Sequence, residues 1–539
     1  MEPLGMAFGL LVVLAALGLW VGVANDAVNF LNSAIGSHAG TLRRILLVAA
    51  LGTLAGTLLS SGMMEVARKG VFHPDLFSTP EGGVDLAGIL TVYLAAMVAN
   101  LLVLDLFNSL GLPISTTVSI LSNLAGAAVG TMLWRTGGDP AAALAVLNAK
   151  PLGGIYMGIF ASVGIAFLGG LVLMVLVRLA FTQDPERAFA RYGWIWAGWS
   201  VAVVCWSILR KGVGHVPLLG DAPLVWARDH LWEVSVVVFA VAALWAWIRR
   251  RDHARVLRVL ILVGTGTLAL SFAANDLVNF IGPTVAAGQA MFVEGVRLSG
   301  QVPTPAWALL VSGMVMVLAL HASRKARAVT DTEIRLAARG ETEHRFGGSL
   351  AARSVVRMGT WIGRGVTALL PSRIRNRAAD RLAPKPGDPD HGTPYDLLRA
   401  SVNLTVASTL ISIGTSMKLP LSTTYITFMV AMGAALGDGV WDRGSAERRV
   451  HGILVVVGGW IVTGLAAFLV SGLLAFGLAA VGLGAGVPLA VVLLGASMLY
   501  FHRLHGRIFR GRVLAHDRLQ GRKAPEVPAV AADALDAAA

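Results

Sequence analysis

The sequence predicts an all-α polytopic membrane protein, with about 12–13 transmembrane helices in two inverted-topology repeats that contain discontinuous helices. Three observations predict it. Of the 539 residues, 55% are hydrophobic and only 14% charged, with a mean hydropathy of +0.70, whereas a soluble globular chain carries roughly 25% charged residues. Apolar runs of the length that crosses a bilayer as a helix, about 20 residues, occur about a dozen times. Two polar phrases also occur twice each. "ANDAVNF" at residues 24–30 returns as "ANDLVNF" at 274–280, and "LPISTT" at 112–117 returns as "LPLSTT" at 419–424.

The apolar runs lie near residues 4–24, 44–63, 88–108, 112–134 and 153–180, then 194–212 and 229–248. The last group lies near 256–288, 304–322, 396–416, 419–436, 450–480 and 485–501. All are continuous and rich in Leu, Ala, Val and Gly, without the alternation of a membrane barrel, so they read as helices that satisfy their own backbone. No Lys or Arg precedes the first run, and it ends in a polar phrase, which fits a cleaved secretory signal poorly. It is expected to remain in the mature protein. The single cysteine, Cys205, cannot form an intramolecular disulfide and says nothing about redox compartment.

The formal net charge of +13 does not indicate nucleic acid as a partner, because the basic residues sit in connections where the positive-inside rule uses them. Residues 323–395 alone carry 14 Lys and Arg against 7 Asp and Glu, and end in the loop-like "PKPGDPDHGTP". This stretch is expected to be a solvated basic cytoplasmic loop near anionic membrane lipid, with a regulatory or partner-binding role as the alternative.

The paired phrases mark an internal duplication. Asn25 and Asn275 are offset by 250 residues, Pro113 and Pro420 by 307. The difference of 57 approaches the length of the basic stretch, which reads as an insertion into the second half. Gly126 and Gly130 map at the same offset of 307 onto Gly433 and Gly437. Arg43 and Arg44 follow the first phrase, so the first span is expected to run inward. Arg249, Arg250 and Arg251 precede the second phrase, so that span is expected to run outward. Alternation then places Arg187, Arg191, the basic loop, Arg448, Arg449 and the tail after Arg503 in the cytoplasm. The expected organisation is a first repeat at 1–181, connecting helices at 182–255, and a second repeat at 256–322 and 396–481. The second repeat is interrupted by the loop at 323–395 and followed by a terminal helix and tail at 482–539. Inverted repeats are a common architecture of secondary transporters, whose sites lie near the midplane. If the "STT" segments were re-entrant, the terminal topology would change.

In the first phrase the i, i+4 spacing puts Asn25 and Asn29 on one helical face with Asp26 beside them, and Asn275, Asp276 and Asn279 repeat the set. A carboxylate in hydrocarbon is costly, so it should face a cavity or a cation. Its hard oxygen ligands suit Na+. Asparagine amides can instead donate to an anion or bond between helices. In the second phrase a proline precedes Ser-Thr-Thr, the signature of a helix start with hydroxyl caps. The free N–H groups and positive dipole end make an anion site, with plain N-capping as the simpler alternative. Such a cup of neutral donors fits a tetrahedral oxyanion.

Lys418 has no basic counterpart at Gly111 and is expected to snorkel at an interface. Asp105 is a lesser candidate for cation binding or a helix-end contact. Gly52 and Gly56, like the mapped glycine pairs, have the spacing for close helix packing. The histidines show no zinc-protease spacing, and no "GK[ST]" loop supports ATP hydrolysis.

The double occurrence of "AND..N" and "P[IL]STT" resembles the inorganic phosphate transporter (PiT) family. The resemblance covers the repeat cores and, through the topology, most of the chain; the basic loop and tail lie outside it. It implies a cation-coupled symporter of phosphate using Na+ or H+, in the cytoplasmic (inner) membrane of a prokaryote, with no further cofactor and with a homo-oligomer left open. It places Asn25, Asn275, Ser115, Thr116, Thr117, Ser422, Thr423 and Thr424 at the substrate. Asp26, Asn29, Asp276 and Asn279, with Asp105, would serve the cation, and Asp26 and Asp276 are the candidate Na+ ligands. The chain departs from the family pattern at Val23 and Ala273, where a Gly is usual, at Phe30 and Phe280, where an Ala is usual, and at Val118 and Tyr425, where a His commonly stands. Sulfate uptake by the same fold is the nearest alternative, as some prokaryotic relatives carry sulfate. An enzyme acting on a phospho-substrate within the membrane is a further alternative, and a passive anion channel another. Matched halves argue against an enzyme, since catalysis needs one asymmetric nucleophile and base.

Overall fold

The computed structural model describes residues 2–78, 83–110, 114–181, 185–210, 222–293, 300, 302, 304–322, 349–368, 371–373, 375–376, 381, 396–441 and 443–519. Among these residues the structure is helical, with isolated bridges and no strand. The first half comprises α1 (Glu2–Asp26), α2 (Val28–Gly36), α3 (Leu42–Leu59), α4 (Leu86–Leu110), α5 (Thr116–Arg135), the short α6 (Pro140–Leu144) and α7 (Ala149–Phe181). The middle comprises α8 (Pro185–Leu209), α9 (Ala222–Asp229) and α10 (Leu231–Ile248). In the second half are α11 (His253–Phe292), α12 (Ala306–Ala322), α13 (Leu350–Ala368), α14 (Leu397–Ser416), α15 (Thr423–Gly437) and α16 (Arg443–Leu519).

Ten segments are long and apolar enough to cross a membrane, and α12 and α15 are shorter apolar helices. The protein is an integral membrane protein. One of the ten, within α16, contains two of the expected runs, which Gly482 separates by leaving helical conformation at φ 73° and ψ 162°. That left-handed region costs glycine little. Most of the basic stretch at 323–395 and the tail beyond 519 lie outside the described residues.

The discontinuities fall unevenly. In the first phrase the helix loosens for one residue, Ala27, between α1 and α2. The second phrase lies inside α11, which continues unbroken through Asn275, Asp276 and Asn279. These side chains bond outward and leave the backbone ladder of α11 intact. The full interruptions separate α4 from α5 and α14 from α15, and each puts a helix start at the "STT" phrase. Leaving α14, the chain turns through Lys418 at φ 56°, while Leu419 N–H donates to the Gly414 carbonyl at 3.0 Å. A left-handed residue commonly ends a helix in this way.

Small residues allow the helices to meet. A Cβ on Gly126 would collide with the Phe468 carbonyl, and one on Gly130 with the Gly472 carbonyl, so α5 packs backbone to backbone on α16. The mapped Gly433 and Gly437 press on the Phe167 and Leu171 carbonyls of α7. Each "STT" helix therefore packs on a helix from the other half. Gly52 and Gly56 meet the Gly266 and Leu270 carbonyls in the same manner, seating α3 on α11. Substituting a side chain at such a contact forces backbones apart, which costs about 1–3 kcal/mol.

Ion pairs tie the ends of both segment pairs. Asp85, just before α4, pairs with Arg135 at the end of α5. At the second segment pair, Arg178 of α7, from the first half, pairs with Asp396, the N-cap of α14, and its Nε donates to Asp438 Oδ1 at the end of α15 at 2.6 Å. Arg399 Nη1 lies 3.7 Å from Asp438 Oδ2. Each pair therefore returns to the level at which it starts, and its tip reaches inward.

Candidate substrate and cation site

Ser115 and Ser422 begin the two "STT" helices. The Ser115 hydroxyl accepts from Val118 N–H at 3.1 Å and the Ser422 hydroxyl from Tyr425 N–H at 3.2 Å. Both serines are the N-caps that the phrase predicts, and each hydroxyl keeps its own proton to donate. Pro420 stands two residues ahead of the cap instead of in the first turn. The cap itself needs the extended backbone that Ser422 adopts at ψ 110°. The residue that follows each cluster differs between halves. Tyr425 is buried and stacks on Trp460 of α16, rings 3.4 Å apart and inclined by 15°, which steadies the first turn of α15; its counterpart is Val118.

The four phrases meet in one buried cluster. Asn25 Nδ2 donates to Asp26 Oδ1 at 2.7 Å and to the Ile114 carbonyl at 3.1 Å. Asn275 Nδ2 donates to Asp276 Oδ1 at 2.8 Å and to the Leu421 carbonyl at 2.6 Å. Ile114 and Leu421 are related by the same offset as the "STT" phrases. Thr116 Oγ1 donates to Asp26 Oδ2 at 3.0 Å, and Thr423 Oγ1 to Asp276 Oδ2 at 2.5 Å. Each aspartate thus receives an asparagine and a threonine from its own half.

The next threonine in each phrase reaches across. Thr117 Oγ1 donates to Asp276 Oδ1 at 3.1 Å, and Thr424 Oγ1 to Asp26 Oδ1 at 3.4 Å. The second asparagines cross as well. Asn279 Nδ2 donates to Thr117 Oγ1 at 3.0 Å and Thr116 Oγ1 at 3.4 Å, and Asn29 Nδ2 to Thr424 Oγ1 at 3.2 Å and Thr423 Oγ1 at 3.3 Å. Thr117 Oγ1 also lies 3.3 Å from the Leu421 carbonyl. The two helix starts therefore face each other.

Asp26 and Asp276 are both fully buried, as are the ten asparagine, threonine and serine side chains of these phrases bar a few per cent of surface. These hydrogen bonds to the two carboxylates come from neutral amides and hydroxyls, with Asn279 Nδ2 also donating to Asp276 Oδ1 at 3.0 Å. Two buried carboxylates in one neutral shell call for a cation or protons to balance their charge. The shell offers such an ion hard oxygens, from the carboxylates, the threonine hydroxyls and the Asn29 amide. It offers an anion two helix N-termini with their free N–H groups and dipoles.

Two polar partners were not legible in the phrases. Thr427 Oγ1 lies 3.2 Å from Asn29 Oδ1, and Thr415 Oγ1 lies 3.3 Å from Asn275 Oδ1. Thr427 stands one turn after Thr423, so helical spacing could have singled it out. Thr415 lies before the break and carried no such signal. Asp105 is buried in α4, and none of the hydrogen bonds described among the four phrases involves it. Lys418 points away to Glu65, its Nζ 3.3 Å from Oε2, with its side chain 56% exposed, as interfacial snorkelling requires. Leu112 and Pro113 lie outside the described residues.

The chain resembles known proteins in both sequence and fold. A model described as the phosphate transporter family matches residues 22–324, a stretch that includes both asparagine–aspartate phrases and the first "STT". An inferred phosphate permease of Thermococcus kodakarensis is 25% identical over 366 residues, which cover 66% of this chain and 84% of that protein. One from Haemophilus influenzae is 23% identical over 460 residues, covering 82% of this chain and 89% of its own. Among solved structures, a sodium-dependent phosphate transporter matches with a TM-score of 0.63 at 17% identity, over 89% of this chain and 99% of its own. That likeness shows a shared fold. Since the matching family is one of transporters, the enzyme reading is set aside. With its paired phrases inside a match that spans more than half of its length, the chain belongs to the phosphate transporter family.

Proposed function

We propose that the protein is a secondary transporter that carries inorganic phosphate together with a cation, Na+ or H+, by alternating access across the cytoplasmic membrane of a prokaryote. The observation that carries this reading is the crossed pair of hydroxyl–carboxylate bonds, Thr117 to Asp276 and Thr424 to Asp26. An anion seated between the two helix starts would take over the threonine hydroxyls, and a cation at each carboxylate would take over the charge that those hydroxyls now partly balance. The substrate residues in this reading are Asn25, Asn275, Ser115, Thr116, Thr117, Ser422, Thr423 and Thr424. The cation residues are Asp26, Asn29, Asp276 and Asn279, with Asp105 a lesser candidate.

Carboxylates beside the anion favour phosphate over sulfate. Phosphate at neutral pH keeps a proton that a carboxylate can accept, whereas sulfate keeps none and would leave the acceptor unpaired. Sodium is the first cation to test, because the neighbour of like fold is a sodium-dependent phosphate transporter. In the same reading residues 1–181 form one repeat and 256–322 with 396–481 the other, in opposite orientation. Residues 182–255 join them, 323–395 form the cytoplasmic loop, and 482–539 form the terminal helix and tail.

The test is uptake of labelled phosphate by proteoliposomes under a Na+ gradient, under a pH gradient and under neither, with sulfate as competitor. Uptake driven by one gradient and insensitive to sulfate is expected. Uptake that ignores both gradients would overturn coupling, and sulfate competition at equal concentration would overturn the substrate.

A further inference from the structure

Helix α13 belongs to none of the phrases and to neither segment pair. Its sequence, LAARSVVRMGTWIGRGVTA, carries arginines too closely spaced for a membrane span. Ser349 caps its start by accepting from Ala352 N–H at 3.2 Å, and lies 3.0 Å from His451 Nδ1. Arg353 Nε lies 3.3 Å from Glu447 Oε2. Both contacts are to the first turns of α16. Three residues beyond His451 the outward surface of α16 turns apolar, with Leu454 36% and Val455 38% exposed. The start of α13 therefore stands where the lipid-facing belt of α16 begins.

Its helical register sorts the side chains into four directions. At about 100° per residue, Ala352 and Val356 share one flank. Ala352 is fully buried and Val356 half-buried, so this flank faces the protein. Val355 and Met358 share a second direction, and both are exposed, Met358 by 58%. Arg353 and Arg357 lie on the side opposite these apolar residues. Leu350 and Trp361 occupy the flank turned away from the protein, 81% and 76% exposed. A helix with apolar residues below, arginines above and a tryptophan at the edge has the pattern of one that lies in a lipid headgroup layer.

We propose that α13 is an interfacial helix that lies in the headgroup layer beside the start of α16 and binds anionic lipid through Arg353 and Arg357. Met358 and Val355 would enter the boundary of the acyl chains, and Trp361 would sit at headgroup level. The occupant is lipid, because the apolar face continues the belt of α16 and the basic row complements anionic headgroups. Each arginine near such a surface favours the anionic lipid about fivefold.

The test uses the full chain in lipid nanodiscs. In a Cys205→Ser background, Met358→Cys and Thr360→Cys are each spin-labelled, and collisions with oxygen and with a water-soluble nickel chelate are measured. One set of discs is phosphatidylcholine alone and another contains phosphatidylglycerol. The label at 358 is expected to favour oxygen severalfold over the label at 360, and more so with phosphatidylglycerol. Adding Arg357→Gln should lower the phosphatidylglycerol dependence about fivefold. Equal access of the chelate to both positions would overturn the membrane placement. Shielding at 358 that ignores both phosphatidylglycerol and Arg357→Gln would overturn anionic lipid as the ligand.

Discussion

Thr117 donates its hydroxyl to Asp276 at 3.1 Å, joining a helix start in one half of the chain to a carboxylate in the other. Thr424 makes the reciprocal contact to Asp26 at 3.4 Å. A ligand that engages the hydroxyls is thereby in direct competition with both carboxylates. In the proposed transporter, anion and cation binding would be linked through the same atoms, and each would alter the affinity of the other by the same factor.

Asp26→Asn or Asp276→Asn keeps shape and hydrogen-bonding capacity while removing charge. In the proposed transporter either variant is expected to insert and fold, yet to lose the dependence of phosphate affinity on the cation. Phosphate titrations at several Na+ concentrations, and separately at several pH values, read this directly. Wild-type cation dependence in both variants would make the aspartates structural.

Thr116→Val and Thr423→Val preserve volume and delete a donor to Asp26 or Asp276. The unmade hydrogen bond is worth roughly 1–3 kcal/mol, so phosphate affinity should weaken by about one order of magnitude or more. Isothermal titration on the purified variants measures it. Unchanged affinity in both would move the substrate elsewhere.

Arg178 is nearly buried between Asp396 and Asp438, whereas the side chains of Arg135 and Asp85 are 33% and 22% exposed. Arg178→Gln removes the 2.6 Å charged bond to the fully buried Asp438, leaving it Arg399 at 3.7 Å, and should destabilise by about 3–5 kcal/mol. Arg135→Gln should cost about 0–1 kcal/mol, as surface pairs do. Thermal unfolding in one detergent compares the two. Equal shifts would show that the Arg178 network carries no special weight, and Arg178→Gln with Asp438→Asn should recover part of the loss.

Gly433→Ala places a methyl against the Phe167 carbonyl, and Gly126→Ala places one against the Phe468 carbonyl. Each should cost about 1–3 kcal/mol by forcing backbones apart. Gly458→Ala on α16, where a Cβ meets nothing within 4 Å, is the control and should be neutral or slightly stabilising. Melting temperatures that fall equally in all three would show a helix-wide effect unrelated to the contacts.

Cysteines placed at Ala328 in the basic loop and at Ala515 in the tail should react with an impermeant reagent only after cell lysis, if both lie in the cytoplasm. Labelling of either in intact cells would reverse the proposed orientation.

Local chemistry by itself determined the helices, because continuous apolar runs leave the backbone only its own hydrogen bonds in lipid. It determined the starts of α5 and α15 as well, since Ser115 and Ser422 cap them through bonds that span three residues. The matched glycines announced close packing in the same way, by spacing alone. Which helices those glycines meet was decided only by the tertiary structure, which sets α5 on α16 and α15 on α7 across the two halves. The same holds for Thr415 and Thr427, whose asparagine partners lie 140 and 398 residues away. A helical period reports one face of one helix. The pairing of Thr117 with Asp276 rests on where two helix starts, the break after α1 and the middle of α11 converge, and the packing of many distant small residues sets that position.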